Sequence, residues 1–132
     1  MDVVFLLGRL ILGGFFVMNG MNHFRMAGMM TGYAASKGVP APKLAVLGTG
    51  LQMLAGGVML ILGWQVWIAA LILVLFLVPV AFMMHNFWTV QDQQQRMIEM
   101  VQFMKNFAIA GALLMVMAYS YSTGWNTLAL GQ

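Results

Sequence analysis

Apolar residues in this chain run in four long stretches, at residues 3–22, 44–62, 64–84 and 106–125, and most polar and ionisable residues fall between them. Each stretch approaches the roughly 20 residues that an α-helix needs to cross the hydrocarbon core of a bilayer. Only helices and closed barrels satisfy their backbone in lipid, and these stretches lack the two-residue alternation of a barrel strand. The pattern predicts an all-α membrane protein, a four-transmembrane-helix bundle forming a single domain over residues 1–132.

The connections carry signals of their own. In the first, Gly38 suits a left-handed helix end, and Pro40 and Pro42 block continuation. A short interfacial helix ending near Lys37 is predicted, with Pro42 opening the second membrane helix. In the third, Asp92 and Gln95 have capping-box spacing, and Met97, Val101 and Met104 recur on one face. That predicts an amphipathic surface helix continuous with the fourth span. The first stretch lacks a basic leader, contains Arg9 and ends in Asn22-His23-Phe24-Arg25 without a small-residue cleavage site, so it is expected to stay in the mature protein.

Composition narrows the function. The chain is 62% hydrophobic and 7% charged, more apolar than a soluble domain of 132 residues can bury. Cysteine is absent, which removes thiol chemistry, disulfides and thiolate-held clusters or haem, so any redox role needs a bound cofactor. The net charge of +3 forms no basic stripe for nucleic acid. It marks orientation instead: Arg25, Lys37 and Lys43 lie in the first connection and Arg96 and Lys105 around the third, with none in the second turn or the C-terminal tail. The positive-inside rule then places both termini outside, in the periplasm of a bacterial inner membrane, with a multi-pass chain between them. Trp64, Trp67, Tyr119, Tyr121 and Trp125 would form the outer aromatic belt, and Phe87 and Trp88 the inner one.

Few residues can carry chemistry. Arg9 lies inside the first stretch, where it either snorkels toward the surface or Asp2, or faces the bundle and holds an anionic or carbonyl-bearing ligand near Tyr119 or Gln52. Gly13 and Gly20 share its face and are expected helix contacts, as are Gly48, Gln52 and Gly56 on the second span. Pro79 is a candidate kink in the third. His23 and His85 end the first and third spans at one depth, with Asn19, Asn22 and Asn86 beside them. They can cap helices, relay protons or contact a small molecule. With no carboxylate near them in the sequence they make a poor metal site, haem is disfavoured, and the scattered methionines fill space as readily as they would bind copper. Lys105 and Asn106 enter the fourth span from the same side.

The wording of the chain adds a family. Gly8-Arg9, Asn19-Gly20-Met21-Asn22-His23-Phe24, the run from Tyr33 through Lys37-Gly38 to Pro40-Ala41-Pro42, Met84-His85-Asn86-Phe87-Trp88 and Phe103-Met104-Lys105-Asn106 together resemble a bacterial DoxX family protein over nearly the whole chain. The resemblance implies a four-span inner-membrane protein. A related DoxD subunit is associated with thiosulfate oxidation coupled to quinone reduction, and other members are linked to oxidative-stress complexes. Many relatives carry Lys after the first span and Glu in the second, where this chain has His23 and Gln52. The expectation is a redox accessory that contacts a quinone-like headgroup and works with a partner oxidoreductase. His23 or His85 would exchange the proton in a shared pocket with Asn19 and Gln52, and Arg9, Asn86, Trp88, Lys105 and Asn106 would be further ligand contacts. The alternatives are a non-catalytic scaffold or assembly factor, and a small lipid or solute carrier built as a homodimer.

Overall fold

The computed structural model describes residues 2–124, with side chains from Val3 onward. Trp125, expected in the aromatic belt and at the end of the fourth span, and the side chain of Asp2 lie outside the described residues. Five α-helices follow one another: α1 (Asp2–Arg25), α2 (Ala27–Ser36), α3 (Pro42–Leu62), α4 (Val66–Met84) and α5 (Gln93–Thr123), with a 3-10 turn at Phe87–Thr89. Four of them, all but α2, are long and apolar enough to cross a membrane. The protein is an all-α integral membrane bundle, and α2 is the short helix of the first connection.

The predicted punctuation is where the helices stop and start. Gly38 takes φ 76° after α2, and its N–H donates to the carbonyl of Ala35 at 3.0 Å. Pro42 begins α3. The Asp92 carboxylate accepts the Gln95 backbone N–H at 3.0 Å, and α5 then runs 31 residues without a break, merging the surface helix with the fourth span. In the same way α4 continues as helix through Pro79.

Backbone contact defines the α1–α3 pair. A Cβ on Gly13 would stand 2.7 Å from the Gly57 carbonyl oxygen, and one on Gly57 would stand 2.8 Å from that of Gly13. One heptad away, a Cβ on Gly20 would stand 2.9 Å from the Gly50 oxygen. The two helices thus cross antiparallel in one constant register, through small residues that let their backbones meet. The expected α1 face is correct, whereas the expected α3 face is not a single contact surface. Gly48 has nothing within 4 Å of a notional Cβ, and Gly56 turns to α4, where the Leu73 side chain fills its place. Heptad spacing, which keeps Gly50 and Gly57 on α1, replaces the four-residue spacing read from the sequence.

Beyond this seam the helices pack in the order α1, α3, α4, α5, with α2 laid on α3. Phe16, Met53, Leu60, Leu73, Leu77 and Leu113 form the dry centre. Ile11, Leu44 and Met115 lie about three-quarters exposed, the outward apolar surface of a protein solvated by lipid.

Candidate functional site

The buried positions of α5 are Glu99, Asn106, Ala110, Leu113 and Ser120, a stripe that alternates steps of three, four and seven residues and packs against α4. Polar residues occupy both ends of it. Asn106 donates its side-chain amide to the Leu77 carbonyl at 3.3 Å, and two turns earlier Glu99 projects past the end of α4. There the chain has just left the helix at His85, whose N–H still caps the Ala81 carbonyl at 3.2 Å.

Glu99 is 4% exposed and gathers donors from three directions. The Tyr33 hydroxyl on α2 donates to Oε1 at 2.5 Å, His85 Nδ1 lies 2.7 Å from Oε2, and Gln95 Nε2 donates to Oε1 at 3.4 Å. A buried carboxylate demands such company, because an unpaired one costs several kcal/mol. Alongside, Lys37 Nζ donates to Asn86 Oδ1 at 3.0 Å and stands 5.7 Å from the centre of the Tyr33 ring. Burial first, and then the hydrogen bond and charge of Glu99, push the Tyr33 phenol up to about 12.

With Nδ1 turned to the carboxylate as a donor, Nε2 of His85 has no hydrogen bond among the described residues. A wall of rings adjoins the cluster. Trp88 meets Phe87 at 5.3 Å, Phe103 at 5.6 Å and Phe82 at 6.2 Å, and it remains half exposed. The place thus combines an imidazole with one unpartnered nitrogen, a fixed carboxylate and flat apolar surface.

Glu99 brings a carboxylate to His85, where the sequence shows none near either histidine. It is the chain's single Glu, fourteen residues from His85, and it lies on a helix whose Met97, Val101 and Met104 point outward. Its heptad step to Asn106 was the available signal. Tyr33 left no comparable trace, since nothing in its neighbourhood announces a partner in α5. Among the described residues no three His, Cys, Asp or Glu side chains converge as metal ligands would.

The remaining predicted residues are dispersed. His23 Nδ1 reaches the Val46 carbonyl at 2.9 Å and Thr49 Oγ1 at 3.2 Å, both on α3, and its ring meets Phe76 edge-on at 6.1 Å. Phe76 precedes His85 by nine residues, about 13 Å of helical rise. No hydrogen bond or ring contact joins the two imidazoles among the described residues. Asn19 donates to the Phe15 carbonyl in its own helix at 2.8 Å, and Gln52 to that of Ile72 on α4 at 2.8 Å. The expected pocket of His23, His85, Asn19 and Gln52 therefore divides into separate backbone contacts and the Glu99 cluster. Lys105 donates to Gln102 at 2.6 Å on the exposed side of α5.

Arg9 lies at the other end of the bundle. It is 3% exposed, which sets aside a side chain snorkelling to the surface, while the other proposed partner, the Asp2 side chain, is outside the described residues. Its guanidinium carbon stands 6.0 Å from the Phe5 ring centre. Nε, Nη1 and Nη2 all lack a hydrogen-bond partner among the described residues. At this end too, a recess of about 250 Å³ opens between α4 and α5, lined by Gln65, Val66, Trp67, Ser120, Tyr121 and Gly124.

No curated protein and no solved structure matches the chain. A family model described as DoxX matches residues 4–86, which runs from the first turn of α1 to the residue after His85 and leaves Glu99 beyond it. That match takes in well over half of the chain and all the elements that present Tyr33, Lys37, His85 and Asn86, and by it the chain belongs to the DoxX family.

Proposed function

We propose that this membrane protein is a redox accessory that seats the headgroup of a quinone-like carrier at the His85 end of the bundle and works with a partner oxidoreductase. The hydrogen-bonded chain from Tyr33 through Glu99 to His85, beside the ring wall of Trp88 and Phe103, is the observation that carries it. Reducing a quinone ring to the quinol takes two electrons and two protons. The electrons come from the partner, since the chain has no cysteine and its described residues form no metal cluster to carry them. The imidazole of His85, protonated on both nitrogens, gives its Nε2 proton to a ring oxygen and keeps Nδ1–H on Glu99, which holds the ring in place, while water at the membrane surface supplies the second proton and then restores the one on Nε2. Lys37 and Asn86 stand beside the path as donors to the ring oxygens. Arg25, Lys37, Lys43, Arg96 and Lys105 cluster near this end, which supports a cytoplasmic position for it and a periplasmic one for the termini.

The test is to purify the chain in mild detergent, identify copurifying molecules by extraction and mass spectrometry, and titrate a short-chain quinone against the tryptophan fluorescence, with Trp88→Phe as the control that isolates the Trp88 signal. Wild type is expected to retain quinone. His85→Phe is expected to weaken binding by about tenfold or more with little change in melting temperature. Absence of quinone from wild type, with equal titrations for both proteins, would refute the reading. A scaffold without catalysis is favoured by one fact, that both Glu99 oxygens are already taken by the chain's own donors. On that reading His85→Phe destabilises the protein and leaves no binding to lose.

A further inference from the structure

The α1–α3 register fixes the depth of Arg9. With Gly20 opposite Gly50 and Gly13 opposite Gly57, the next turn outward sets Arg9 level with Ile61, one residue before α3 ends at Leu62. The α3–α4 turn lies there, with exposed Trp64 inside it and the Trp67–Tyr121 ring pair, 5.6 Å apart, close by. Such aromatic residues mark the boundary where hydrocarbon gives way to headgroups. Arg9 is thus a cation at phosphate level, turned into protein rather than into water.

We propose that Arg9 binds an anionic oxygen group of the phosphate class at this end of the bundle. A guanidinium keeps its charge at any working pH and offers five N–H donors in a planar fork matched to two oxygens of a phosphate. Here all three nitrogens are enclosed and none has a partner among the described residues. Leaving such a group unpaired costs several kcal/mol, far more than the Phe5 ring at 6.0 Å returns. An anion removes that cost. Two sources share this chemistry, the headgroup phosphate of a phospholipid and free inorganic phosphate.

The experiment starts from delipidated full-length protein in neutral detergent and measures its melting temperature after adding phosphatidylglycerol, diacylglycerol with the same tails, or inorganic phosphate at constant ionic strength. Phosphatidylglycerol is expected to raise it by roughly 5 °C over diacylglycerol, and this headgroup-dependent rise is expected to vanish in Arg9→Gln and shrink in Arg9→Lys. A rise with phosphatidylglycerol alone assigns the site to lipid, and one with inorganic phosphate as well assigns it to the free anion. Equal effects of phosphatidylglycerol and diacylglycerol, with none from phosphate, overturn the proposal. So does a headgroup effect that survives in Arg9→Gln. If Arg9→Gln fails to fold, Arg9→Lys and the headgroup comparison on wild type decide between these outcomes. An Asp2→Asn variant that alone abolishes the anion response, with Arg9 intact, also overturns it.

Discussion

Two buried charges sit at opposite ends of this bundle and are treated in opposite ways. Glu99 has a donor on each carboxylate oxygen, drawn from α2, from the end of α4 and from its own helix. Arg9 has three enclosed nitrogens and no hydrogen bond among the described residues. Since neither charge is tolerable alone, the first is a completed structure and the second is half of one. The satisfied cluster fixes the neighbouring imidazole in place, whereas the enclosed guanidinium is left with donors that nothing in the described residues uses.

The contrast can be broken most sharply at Glu99. Glu99→Ala strands the Tyr33 hydroxyl and the imidazole it holds, and is expected to lower the unfolding free energy by about 3 kcal/mol in a denaturant titration in micelles. A loss below about 0.5 kcal/mol would mean the cluster contributes no structure. The depth assigned to Arg9 depends on the glycine seam, which a pair of substitutions tests. Gly57→Ala forces a Cβ to 2.8 Å from the Gly13 oxygen and is expected to cost about 2 kcal/mol, while Gly48→Ala meets nothing within 4 Å and is expected to be neutral or stabilising. Equal effects would dissolve the register.

Arg9→Met is expected to change stability in the other direction from Glu99→Ala. In neutral detergent free of lipid and phosphate, replacing the unpaired guanidinium by an apolar side chain should raise stability by about 1 kcal/mol. A loss as large as that at Glu99 would reveal a partner within the chain and erase the difference between the two ends. The smallest effect is a pH signature. With its folded pKa raised from 10.0 to about 12, Tyr33 binds its proton more tightly in the folded protein, so its contribution is complete below pH 10 and fades as pH rises toward 12. Tyr33→Phe is expected to flatten that part of the stability curve, leaving only the titration of the other tyrosines.

What could be read from the sequence followed the physics of each signal. Lipid solvation demands long apolar runs, so the spans were plain, and Gly38, Pro42 and the Asp92–Gln95 cap announced their helix ends through local backbone chemistry. Gly13 and Gly20 showed their shared face through spacing within one helix. Pairing between helices is where legibility stopped. Which α3 glycines answer them depends on the crossing register, and Glu99 was hidden because an isolated acid near the start of a surface helix looks like solvated charge until α2 and α4 are placed around it. The histidines were visible as residue types, yet their partners, Val46 and Thr49 for His23 and Glu99 for His85, belong to other helices.

The most extensive pairings in the molecule, α1 with α3 and α4 with α5, join spans consecutive in the chain, so the protein is built as two hairpins. Each can insert as it is synthesised and close on itself before the other arrives, since its contacts are local. Docking then brings Leu73 into the space left by Gly56 and Gln52 onto the Ile72 carbonyl. Tyr33 and Lys37 belong to the first hairpin, and Glu99 and Asn86 to the second. The Tyr33–Glu99 and Lys37–Asn86 bonds therefore form only when the halves have met, and the Glu99 cluster is completed as the last seam of assembly.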